Sequence, residues 1–98
     1  MTRAEILDSA KKCVCEDRES QYGSPEDSFK LIAELWTVYL DYRLSPVDVA
    51  IMMALLKIAR IAGGRFKADS YIDACGYIAC AGEIAGREGV KPFSYDDD

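Results

Sequence analysis

The segment from Ser45 to Gly64 constrains this chain more than any other. It opens on Ser45-Pro46-Val47-Asp48, a helix start with a capping serine, proline at the first helical position and an acid in the first turn. Gly63-Gly64 stops it. Between Val49 and Ala62 only Lys57 and Arg60 are polar. A helix that is apolar almost all round has to be surrounded, by other helices of the chain or by a second subunit. Ninety-eight residues make one domain, and three helices can rarely cover a fourth completely. Oligomerisation is the simpler account.

The same punctuation divides the rest of the chain. Thr2 and Glu5 form a T-x-x-E capping box, which predicts a first helix from Arg3 to near Ser20 with Ile6, Ala10, Cys13 and Val14 on its apolar face. Ser24-Pro25-Glu26-Asp27 restarts the chain after Tyr22-Gly23. The second helix, to Tyr42, carries two apolar stripes: Phe29, Ile32, Trp36 and Leu40, and then Leu31, Leu35, Val38 and Tyr42. The polar line Lys30, Glu34, Thr37 and Asp41 between them is expected to face water. The third helix runs from Pro46 to Ala62, and the fourth from Asp69-Ser70, either of which can cap it, to Glu88 before Gly89. Gly76, Ala79, Cys80, Gly82 and Gly86 make the fourth helix small-sided, a cost in propensity that close approach of another backbone offsets. No strand pattern competes. The expectation is an all-α, four-helix bundle-like domain over residues 1–89 with an extended acidic tail over 90–98, in which Phe93 and Tyr95 are candidates to dock. It forms a homo-oligomer through the apolar third and small-residue fourth helices.

Composition narrows the chemistry. There is no histidine, which removes histidine-based triads, histidine-ligated zinc and histidine pH switches. The net charge of −5 argues against general DNA or RNA binding, and three of the acids are the terminal run Asp96, Asp97 and Asp98. Cys13 and Cys15 form C-x-C, and Cys75 and Cys80 form C-x4-C; neither has zinc-site spacing. The start, MTRAEILDSAKK, has no apolar signal core, so reduced thiols in a cytosolic protein are expected. The apolar run Val49 to Leu56 is too short to span a bilayer, so no membrane partner is expected.

A few polar residues are left unexplained by the helix pattern. Lys57 and Arg60, three apart, share a face of the most apolar helix, and Asp69 and Asp73 sit four apart on the next, with Tyr77 one turn on. The connection between these helices is short, so they form an antiparallel hairpin. At about 1.5 Å rise per residue, Lys57 and Asp73 fall at nearly the same height. Two readings follow. One is an ion-pair network that fixes the hairpin register, with Asp69 as a simple helix cap. The other is a polar pocket in which Lys57 and Arg60 hold an anionic ligand while the acids bind a divalent cation or orient the bases. Arg65 and Lys67 beside the turn extend such a site or are plain solvated charges. A second cluster is Asp17, Arg18, Tyr22 and Gly23. Asp17 continues the inward stripe Ile6, Ala10, Cys13, which turns it toward the bundle; the alternative is a fraying helix end. Trp36 belongs to an apolar stripe and reads as core.

The ordered string Arg18…Tyr22-Gly23-Ser24-Pro25, Phe29 to Trp36, Ser45 to Ala50, Met53, Leu56 to Arg60, then Asp69-Ser70…Asp73…Gly76-Tyr77 resembles a small all-α domain of unknown function common in phage and prophage genomes. The resemblance covers residues 17 to 85. More distantly, the Tyr-Gly, Lys-Ile-x-Arg and Asp-x3-Asp-x2-Gly-Tyr series is similar to the phage nucleotide-modification-associated domain and to the MazG-like nucleotide pyrophosphohydrolases. It implies a phage or prophage product in a bacterial host, with a nucleotide-like ligand at Arg18, Tyr22, Lys57, Arg60, Asp69, Asp73 and Tyr77. The MazG-like resemblance further implies Mg²⁺ held by acids on two helices, with pyrophosphate released from a triphosphate. The sequence departs from that family's E-x-x-E and E-x-x-D signature. The second helix offers only Glu34 and the fourth Asp69-x3-Asp73, so a metal set here is Asp17, Asp69 and Asp73, or draws an acid from a second subunit. The departure favours ligand binding without catalysis over metal-dependent hydrolysis. A structural or interaction protein with no ligand is the third reading.

Overall fold

The first three helices begin where their sequence signals stand, and the caps show why. The Thr2 hydroxyl accepts the Glu5 N–H at 3.1 Å while the Glu5 carboxylate accepts the Thr2 N–H at 2.8 Å. That return bond to the Thr2 backbone, with the Thr2 hydroxyl second, holds the Glu5 carboxyl below its ordinary value. Ser24 accepts the Asp27 N–H at 3.2 Å, and Ser45 and Asp48 form a second reciprocal box at 3.1 and 2.8 Å.

The computed structural model describes residues 1–17 and 24–94, with Asp17 described by its backbone alone. The helices are α1 (Arg3–Lys12), continued by one π-helical turn (Cys13–Asp17), α2 (Pro25–Leu40), α3 (Pro46–Gly63) and α4 (Ala68–Glu88), and no strand occurs among the described residues. The expected reach of the first helix to Ser20 lies partly outside them. α-Helical geometry ends earlier than the apolar spacing suggested, because hydrogen bonding widens to the π pattern after Lys12.

The α3–α4 hairpin is the spine; α1 leans on α4, and α2 on α3. The core is Phe29 and Ala33 of α2, Val47, Val49, Ala50 and Ala54 of α3, and Tyr77, Ala81 and Ile84 of α4. The Phe29 and Tyr77 rings lie 6.1 Å apart at 50°, and Trp36 packs against the same cluster, as core. Gly76 marks a close approach of the N-terminal segment, since a Cβ there would meet Val14 Cγ1 at 2.9 Å. Its smallness serves an approach within the chain.

Two expectations are corrected. Asp69 does not cap α4: Lys67 occupies the cap position without a side-chain bond, and Asp69 sits in the first turn. Thr37 does not simply face water. Its hydroxyl accepts the Leu44 N–H at 2.9 Å and donates to the Leu44 carbonyl at 3.5 Å, which ties the end of α2 to the start of α3. Within the expected tail, Val90 packs on the core, the chain turns at Pro92-Phe93, and the Phe93 N–H donates to the Asp48 carboxylate; Tyr95 lies outside the described residues.

Only the first half of α3 is covered. Leu55, Leu56 and Ile58 are about half exposed, and on α2 the stripe Leu31, Leu35 and Val38 faces outward, Val38 at 81% exposure. The chain's own helices leave both surfaces bare.

Candidate functional site

The α3–α4 hairpin places its polar residues as their spacing requires. Lys57 is six residues from the end of α3 and Asp73 six into α4. With Gly63 and Gly64 at the stop and four residues connecting the helices, Lys57 Nζ meets Asp73 Oδ2 at 2.9 Å. The lysine is 15% exposed and the aspartate 37%. An ion pair of this kind contributes modestly, because solvent still reaches the carboxylate.

Beside this pair the surface opens into a groove of about 810 Å³, lined by Leu56, Ala59 and Arg60 of α3, Arg65 and Lys67 of the connection, and Asp69, Ser70 and Asp73 of α4. That volume lies in the range of small-molecule sites, roughly 300–1,000 Å³. Four cations and two carboxylates line it, whereas the whole chain carries −5. Among the described residues Arg60, Arg65 and Lys67 have no ion-pair partner. Their charge is available to an anion, and Lys57 is already spent on Asp73.

The structure therefore brings Lys57, Arg60, Asp69 and Asp73 to one groove, with Arg65 and Lys67 alongside. Tyr77 lies elsewhere, buried against Phe29 and lining a small internal cavity with Cys13, Val14 and Gly76. Arg18, Tyr22 and the Asp17 side chain lie outside the described residues.

Two features escape sequence reasoning. Asp48 is fully buried, and its carboxylate accepts both the Ser45 and Phe93 N–H groups. Its place in S-P-V-D announces the first bond and nothing announces the second. A further groove of about 530 Å³, lined by Met1, Ser9, Lys12 and Cys13 with Ile72, adjoins the first across Asp69 and Asp73. Ser9, Lys12 and Cys13 share a helix face, a signal that acquires meaning only once α1 is placed against α4.

A carboxylate-held Mg²⁺ is a poor fit to the described donors. No group of three or more acids, cysteines or histidines gathers among them. Asp73 is engaged by the Lys57 ammonium, which supplies the positive charge a metal would.

A small all-helical domain with a mixed-charge groove at its central hairpin is thus the class of protein that fold and site define. The chain belongs to the family described as Domain of unknown function (DUF6378), whose model matches residues 5–85. It is 40% identical over 79 residues to the Gene 55 protein of Mycobacterium phage D29, covering 81% of this chain and 52% of that one. To the Gene 55 protein of Mycobacterium phage L5 it is 37% identical over 73 residues, covering 74% and 47%. The chain spans about half the length of these curated relatives. No solved structure matches it. Among the described residues no helix is long and apolar enough to cross a membrane.

Proposed function

We infer that this domain binds a nucleotide or a related phosphate-bearing small molecule in the α3–α4 groove, without evident catalysis, and that it does so as a homo-oligomer. The observation that carries the binding reading is the trio Arg60, Arg65 and Lys67, cations without ion-pair partners among the described residues, at one groove of an acidic chain. Guanidinium groups give phosphate forked, charge-assisted hydrogen bonds, and Lys67 adds point charge. The Lys57–Asp73 pair fixes the wall that presents them, and Leu56 and Ala59 offer apolar surface beside the charge. Assembly is supported by the bare apolar faces of α2 and α3 and by the exposed small strip Ala79, Gly82 and Gly86 on α4.

Melting in the presence of nucleoside triphosphates tests the binding reading. They raise the melting temperature of the wild type and leave Lys57→Ala and Arg60→Ala unmoved. Equal shifts in all three proteins contradict the site. Release of pyrophosphate in the same mixtures with Mg²⁺ would instead support the metal-dependent hydrolase.

A further inference from the structure

Asp69 is out of place in a groove that holds only anions. It is exposed, it does not cap α4, and it has no hydrogen-bond or ion-pair partner among the described residues, whereas Asp73 is bound to Lys57. Left as a bare carboxylate it repels phosphate. The ligand that suits the groove therefore carries N–H donors close to its anionic end. Asp69 also stands on the ridge between two grooves, with Arg60, Arg65 and Lys67 on one side and Ser9 and Lys12 of α1 on the other.

We propose that the groove selects a guanine nucleotide, with Asp69 reading the base and Lys12 beside it. This rests on the phosphate-binding reading above. Guanine presents N1–H and the N2 amino group side by side, and a carboxylate accepts from both through its two oxygens. Next to them lies O6, an acceptor suited to the Lys12 ammonium. No other common base offers that order at its pairing edge. Adenine and cytosine place an amino group beside a bare ring nitrogen, and uracil places one N–H between two carbonyls. The phosphates lie toward Arg60, Arg65 and Lys67, and Leu56 and Ala59 give the ring an apolar wall. The charge order across the ridge, cation then acid then cation, matches the order of groups on the ligand.

Isothermal titration of the full chain with GMP, AMP, CMP, UMP and inorganic pyrophosphate, with and without Mg²⁺, tests the assignment. The wild type binds GMP at least about tenfold more tightly than the other nucleotides, the lower range of one bidentate pair. Asp69→Asn, whose amide replaces one acceptor by a donor, loses that preference and binds pyrophosphate at least as well as before. Lys12→Ala narrows the preference, with pyrophosphate affinity falling far less than it does in Arg60→Ala. If all four nucleotides and pyrophosphate bind alike, and Arg60→Ala abolishes them together, the guanine assignment falls and the anion site stands. If binding requires Mg²⁺ and shows no base preference, the acids hold a metal and the assignment falls again. If nothing binds, both readings fail.

Discussion

Asp48 is an acid at the start of an apolar helix, and its burial makes it the most demanding polar residue among those described. One carboxylate oxygen takes the Ser45 N–H and the other the Phe93 N–H, so the buried acid has a backbone donor on each oxygen. Asp48→Asn turns an amide donor toward one of them. It should cost about 1–3 kcal/mol, the range for leaving a buried group unsatisfied, and urea unfolding measures it. An unchanged midpoint would mean the tail contact carries no stability. Arg60 makes the opposite case. It is exposed and has no ion-pair partner among the described residues, so Arg60→Ala should leave stability within about 0.5 kcal/mol while removing the anion response. Lys57→Ala, which strands Asp73, should affect both. Glu26 supplies a pH signature. Its own backbone N–H at the start of α2, aided by Arg87, holds its carboxyl below the ordinary 4.5. A carboxyl depressed in the folded state stabilises fully above its unfolded value and loses that contribution as pH falls through the folded one. Glu26→Gln should therefore flatten the loss of stability below about pH 4.5, measured by denaturation from pH 7 to 3. A parallel fall in both proteins contradicts the assignment. The Lys57–Asp73 contact is legible in the sequence because hairpin height follows from helical rise. Asp48–Phe93 is not, because 45 residues separate the partners.

At the level of helices, the fourth shows what small residues do and how far a sequence can assign them. Gly76 meets Val14, whereas a Cβ at Gly82 or Gly86 meets nothing within 4 Å. Gly82→Ala should stabilise the folded chain by about 1 kcal/mol from helix propensity alone. Gly76→Ala should lose that gain to the stiff Val14 side chain, and Val14→Ala should restore part of it. Thermal unfolding of the three variants checks this, and equal gains at Gly76 and Gly82 would show that the N-terminal segment gives way. The helix starts at Thr2, Ser24 and Ser45 were readable because capping is local chemistry. The π-helical turn after Lys12 and the second role of Thr37 depend on what lies across the molecule, so local spacing did not announce them. Lys12 and Ser9 are the same kind of case. Their part in the candidate site exists only because α1 lies along α4.

The molecule as a whole carries both bare apolar surface and a charged groove. The Cα radius of gyration is 14.0 Å, slightly above the roughly 13 Å of a compact chain this long. Leu31, Leu35 and Val38 on α2 and Leu55, Leu56 and Ile58 on α3 remain uncovered. The almost wholly apolar α3 is thus half wrapped by its own chain. Multi-angle light scattering should return a mass above that of one chain, and Leu55→Glu should lower it; a strict monomer would contradict assembly through this face. The groove is the charged counterpart of that surface, and its occupancy is the central claim. Backbone amide shifts of the labelled chain during titration with a nucleoside triphosphate test it most directly. Saturable shifts are expected, concentrated at residues 56–60 and 63–73 and absent in Arg60→Ala. Shifts confined to the exposed stripe of α2, or none at saturating nucleotide, would contradict it.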